Sequence, residues 1–205
     1  MIDSLSKLVR EAGAMYASRH DNTYHFLLGL SDSEEGNGLE HHQSSDNRTP
    51  EHAFSDESFA PLVSDLLPHE YTHSWNGKYR RPIGLATPDY ATLMQGSLLW
   101  VYEAMTHYLG EVLSVRSGFA TPEQFREALA FSAANLDVKA GRTWRDLEDT
   151  AVASSDRREH RLFPDGASRL PRRRKISRAE ACRRNTGCAR RNPQAAGKVM
   201  TVIAT

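Results

Sequence analysis

The sequence predicts an α+β fold, mostly helical with a small sheet edge, and three stretches carry that reading. Residues 2–16 repeat apolar side chains at helical spacing, residues 23–30 alternate them, and residues 92–118 form a long run that is apolar almost all round. Charge then divides the chain in two. Residues 1–154 hold 12 Lys+Arg against 22 Asp+Glu, a balance of −10, whereas residues 155–205 hold 14 against 4, a balance of +10. The acidic part has the composition to build a core. The basic part, with "PRRRKISR" and "CRRNTGCARRNP", lacks a sustained apolar period and reads as a disordered or frameshifted Arg-rich tail, its apolar end "VMTVIAT" being too short to change that. A nucleic-acid arm held by phosphate contacts is the functional alternative for this tail and ranks last. No apolar run approaches the roughly 20 residues of a membrane span, and the N-terminus lacks the basic-then-apolar layout of a signal peptide, so the cytoplasm is the default compartment. Cys182 and Cys188 are the only cysteines and lie far along the basic part, so neither a disulfide framework nor a cysteine metal site organises the core.

Element by element, Ile2, Leu5, Leu8, Val9, Ala12, Met15 and Tyr16 mark an opening helix. In "TYHFLLGL", Thr23 to Leu30, the alternation of Tyr24, Phe26, Leu28 and Leu30 marks a strand. The turn chemistry of "SDSEEGNG" then leads to a second extended piece, "LEHHQSS". From Phe59, Leu62, Val63, Leu66 and Leu67 return to helical spacing and run into His69 and His73, stopping at Asn76-Gly77, a natural C-cap. Pro68 interrupts this pattern, and proline inside a helix costs about 3 kcal/mol. The expectation is a kink there, or a fresh helix with Pro68 in its first turn. "TPEQF", Thr121 to Phe125, is a capping box with proline at the first helical position, and Thr143 is a candidate N-cap for a later helix.

The chemistry concentrates in "HEYTH". Positions i and i+4 of a helix project from one face, so His69 and His73 could hold one metal ion between them with Glu70 beside it. The alternative is a surface helix with two solvated histidines, and a third ligand decides between them. Glu103, in the middle of the long apolar run, is the candidate: a buried carboxylate needs a compensating charge, which zinc would provide. Its other possible partners are Arg116, Arg142 and Arg145, or a wet stripe beside Thr106 and His107. Two histidines and a downstream glutamate leave a fourth position for water, the pattern of a catalytic zinc site.

Taken in order, "GLEHHQS", "HEYTHSWNGKYRRP", "LLWVYEAMTHYLG" and "GRTWRDLEDTAVAS" resemble the glycyl aminopeptidase family over about residues 2–154. These are gluzincin zinc metallopeptidases that usually carry a PDZ domain. The resemblance implies a partial, thermolysin-like catalytic domain over 1–154, with His69, His73 and Glu103 as Zn2+ ligands and Glu70 as general base. It further implies a peptide substrate whose small N-terminal residue, Gly or Ala, is removed, with Glu40 anchoring the free α-ammonium and the extended "GLEHHQS" pairing with the substrate backbone. Glu40 as an ordinary loop carboxylate is the plainer reading. Glu148 and Asp149 are candidate partners for the zinc histidines, and His107 or Tyr108 local candidates for oxyanion stabilisation. The family's N-terminal β-rich domain and PDZ domain have no counterpart in these 205 residues. That leaves a truncated fragment, binding zinc without turning over peptide, as the alternative.

Overall fold

The computed structural model describes residues 1–19, 21–33, 36–153 and 198–204. The main elements of the described structure are α1 (Ile2–Tyr16), β1 (Tyr24–Leu30), β2 (Asn37–Glu40), β3 (Ser44–Thr49), α2 (Ala60–Thr72), α3 (Leu99–Ser117), α4 (Pro122–Asp137) and β4 (Lys198–Ala204), the strands forming one four-stranded sheet. The sheet order is β2-β3-β1-β4, with β1 and β3 parallel and both outer pairs antiparallel. Residues 147–153 are also helical.

Periodicity becomes packing directly in the first two elements. Leu5, Leu8, Val9 and Ala12 of α1 are buried, as are Tyr24, Phe26 and Leu28 on one face of β1. Between them lie Val63, Leu67 and Tyr71 of α2 and Leu113 of α3, which complete one core. Tyr71 sits edge-on to Tyr24 at 4.6 Å and to Trp75 at 5.2 Å, so aromatic contacts fix the rotation of α2 over the sheet.

Several elements differ from the sequence expectation. The extended piece "LEHHQSS" is two strands: β2 ends at Glu40, and residues 41–43 turn the chain before β3 begins at Ser44, with His41 donating its amide to the Ser44 carbonyl at 2.8 Å. The hairpin pairs Glu40 with Ser45 and leaves β2 at the sheet edge. At Pro68 the helical run is unbroken, so no fresh helix starts there and Pro68 lies inside α2. Here α3 packs tightly on α2: a Cβ on Gly110 would lie 3.0 Å from the backbone of His69 and 3.3 Å from that of Pro68. Tertiary packing overrides local propensity at this point, and the N–H that proline lacks leaves no donor to satisfy.

The long helix is also less buried than its composition suggests, since Trp100, Met105 and Tyr108 of α3 are exposed. Thr143 lies in a short 3-10 turn, and Asp146 supplies the cap of the helix that follows, its carboxylate accepting the Asp149 amide at 2.7 Å. The Thr121 and Gln124 capping box of α4 is formed as expected. Residues 154–197, most of the stretch read as a basic tail, lie outside the described residues, including both cysteines. Its last residues are strand: Lys198–Ala204 pairs along the whole of β1, because β1 offers an open row of backbone donors and acceptors on that side. Among the described residues no helix is long and apolar enough to cross a membrane.

Candidate metal centre

Helix α2 delivers His69 in its last turn and His73 at its C-cap, where the backbone is still right-handed helical at φ −59, ψ −20. The i, i+4 relation therefore survives although the assigned helix ends at Thr72. The two Nε2 atoms face each other at 3.1 Å, and Glu103 Oε2 on α3 lies 3.5 Å from His69 Nε2 and 3.6 Å from His73 Nε2. For a tetrahedral ion with bonds of about 2.0–2.1 Å, the expected separation between ligand atoms is roughly 3.3–3.4 Å. The three observed edges bracket that value, so this donor set fits a zinc-sized cation with one position left over. These three are the one such His/Cys/Asp/Glu group among the described residues.

The groups around the histidines orient them. The His73 ring is buried, and its Nδ1 is 3.0 Å from the Asn76 carbonyl, so a proton on Nδ1 turns the Nε2 lone pair toward His69 and Glu103. Asn76 in turn donates its amide to the Val101 carbonyl and the Thr106 hydroxyl, both at 2.9 Å, tying the end of α2 to the first turns of α3. Thr106 donates to the Tyr102 carbonyl at 2.6 Å. Sequence reasoning gave Asn76 only a capping role and missed Thr106 and Tyr102 as supports. The available signal was proximity, since Tyr102 and Thr106 flank Glu103 and Asn76 follows His73 by three positions.

Electrostatics separates the carboxylates. Burial opposes ionisation of Glu103, but bonds from His69 and His73 outweigh it and hold this carboxyl far below the usual range. Glu70 is 6% exposed, and burial pushes its carboxyl up from 4.5 to about 7, against the pull of His69 and His73. One of its oxygens, Oε2, is buried with no hydrogen-bond partner among the described residues. Burial lowers the His73 pKa, yet Glu103, the Asn76 carbonyl and Glu40 together raise it above 6.5. The two carboxylates thus differ in proton affinity because Glu103 is hydrogen-bonded to both histidines, whereas burial outweighs their attraction at Glu70.

The edge strand completes the site. Gly38 and Glu40 share one face of β2; a Cβ at Gly38 would overlap the Glu70 carboxylate, so a larger residue there would have to displace that side chain. Two residues on, Glu40 Oε1 accepts a hydrogen bond from the Tyr102 hydroxyl and lies 3.2 Å from Lys78 Nζ. Burial works against the charge on Glu40, but Tyr102, its own amide, Lys78 and His73 keep it ionised.

Other expected residues stand apart. Glu148 and Asp149 are exposed, and the Asn76 carbonyl takes the role proposed for them. His107 is held by Asp65 at 3.2 Å and Glu111 at 3.6 Å, while Tyr108 points outward, 52% exposed. His41 and His42 are exposed in the turn. Arg116 pairs with Glu11 at 2.9 Å, not with Glu103, and Arg145 lies over the Trp144 ring. Glu103 itself is 39% exposed, less buried than its place in the apolar run suggested.

None of the curated proteins matches this chain. Among solved structures, the crystal structure of an aminopeptidase N family protein from Idiomarina loihiensis aligns with a TM-score of 0.66 at 22% identity, covering 74% of this chain and 27% of that one. The likeness is one of fold, and this chain spans about a quarter of that protein's length. A profile of the M61 glycyl aminopeptidase family matches residues 63–181, starting later than the resemblance read from the motifs and continuing past Ser154, where that resemblance was expected to stop. More than half of the chain lies within that match, which spans both histidines and Glu103, and the chain therefore belongs to the M61 glycyl aminopeptidase family.

Proposed function

We propose that this chain carries the active site of a zinc-dependent aminopeptidase that removes small N-terminal residues, glycine or alanine, from peptides. The observation that carries the reading is the triangle of ligand atoms, with edges of 3.1, 3.5 and 3.6 Å, set beside a buried glutamate. His69, His73 and Glu103 would hold the ion. When bound, zinc lowers the pKa of water and polarises the scissile carbonyl. Glu70, buried beside the ligand group, accepts a proton from the attacking water and returns it to the departing amine. Strand β2, at the sheet edge among the described residues, aligns an extended peptide by strand addition. Glu40, two residues beyond the glycine that abuts Glu70, receives the peptide's α-ammonium and so restricts cleavage to the first bond.

A second reading, a zinc-binding chain without turnover, is favoured by one observation: the local groups considered for the oxyanion are either engaged, as His107 is by Asp65 and Glu111, or exposed, as Tyr108 is. The two readings share the metal and differ in catalysis. Zinc per chain in the dialysed wild type and in Glu103→Ala tests the shared part, with about one ion expected in the first and much less in the second. Release of glycine or alanine from short peptides then separates the readings, and Glu70→Gln is expected to keep the metal while losing roughly 100-fold or more in rate. A folded wild type without zinc would sink both.

A further inference from the structure

Glu40 is already occupied by a cation that belongs to the protein. Lys78 follows α2 by six residues, and its backbone N–H donates a hydrogen bond to the His73 carbonyl at 2.9 Å. From there its side chain, 14% exposed, reaches the Glu40 carboxylate, 17% exposed, and both Lys78 and the Tyr102 hydroxyl converge on the same oxygen, Oε1. A primary ammonium 3.2 Å from a half-enclosed carboxylate, beside the candidate metal ligands, has the chemistry of a peptide N-terminus in the same seat. We propose that Lys78 is a specificity-determining residue: an internal ammonium that competes with the substrate's α-ammonium for Glu40 and weakens the hold on free N-termini. This rests on the aminopeptidase reading above, in which Glu40 is the amine anchor.

Two physical consequences give the idea its direction. An enclosed carboxylate with its cation removed is left uncompensated, and an incoming ammonium then restores the lost pairing. With Lys78 in place, the same ammonium gains only the difference between two similar ion pairs. Tyr102, by contrast, donates a neutral hydrogen bond that both states retain, so it positions Glu40 without competing.

The test is calorimetric binding of glycinamide, with N-acetylglycinamide as the uncharged control, to the zinc-equilibrated full chain in wild type, Lys78→Met, Lys78→Arg and Glu40→Gln. Methionine keeps an unbranched stem and removes the charge, and a thermal melt of each variant reports folding. Lys78→Met is expected to bind glycinamide roughly tenfold tighter than wild type, with no gain for the acetylated control, while Lys78→Arg stays close to wild type. Equal or weaker binding of glycinamide by folded Lys78→Met, absence of binding in both included, overturns the competition. The Glu40→Gln arm separates this failure from that of the wider reading. If it loses glycinamide affinity while Lys78→Met gains none, Glu40 is the anchor and only the role of Lys78 falls. If Lys78→Met gains affinity and adding Glu40→Gln to it leaves that gain intact, the amine binds elsewhere and the aminopeptidase assignment of Glu40 falls with it.

Discussion

Glu70 illustrates how a single side chain couples folding to pH. Its folded pKa, about 7, is above the ordinary 4.5, so the folded metal-free protein binds a proton more tightly than the unfolded chain. Such a group contributes stability fully below about pH 4.5 and loses it as pH rises through 7, a change on the order of 3 kcal/mol. His73, also raised, acts with the same sign. Metal binding runs the opposite way, because ligands must be deprotonated. Denaturant titrations of the metal-free chain should therefore show stability falling from pH 5 to 7.5, with a flatter profile in Glu70→Gln, and the rise in melting temperature on adding zinc should grow over the same interval. A metal-free profile equally steep in the variant would remove Glu70 as the cause. Asn76 makes the second residue-scale prediction. Its amide joins α2 to α3, and Asn76→Ala leaves the Val101 carbonyl without that donor, at a cost of about 1–3 kcal/mol. The same change loosens the orientation of His73, so zinc affinity measured by competition with a chelator should drop roughly tenfold or more.

Between elements, the spacing of α2 and α3 governs whether three ligands can meet. Gly110 sets that spacing, since an added Cβ would lie 3.0 Å from the His69 backbone. Alanine is the better helix former by about 1 kcal/mol, yet overpacking at a helix contact costs about 1–3 kcal/mol. Gly110→Ala is expected to lower the melting temperature and, by moving α3 outward, to weaken zinc binding through Glu103. An unchanged zinc affinity in the folded variant would mean that the helix contact does not set the metal geometry. The hairpin of β2 and β3 was legible only in part. Its turn falls at "HHQ", which carries none of the glycine, proline or asparagine that usually announces a turn, so the sequence suggests one extended piece where the chain makes two strands.

Across the whole molecule, β4 covers the side of β1 that faces away from β3. Val202, partly buried against the core, joins residues near the end of the chain to elements formed at its start. Ending the chain after Gly197 would uncover the backbone of Tyr24–Leu30 along that edge. The truncated protein should melt lower and aggregate on heating, as followed by light scattering; a melt identical to that of the full chain would show that β4 adds nothing to stability.

The sequence by itself determined the periodic elements and the ligand types. Helical spacing placed His69 and His73 on one face, and alternation gave β1 its buried side, because both patterns are local consequences of backbone geometry. What joins Glu103 to the histidines, Asn76 to Thr106 and Lys78 to Glu40 is decided only in the tertiary structure, where residues 30–38 positions apart in the chain meet within a few ångströms. Neither period nor propensity records such contacts. The pairing of β4 with β1 belongs to the same class, since an open sheet edge is filled by whichever strand the whole fold brings to it.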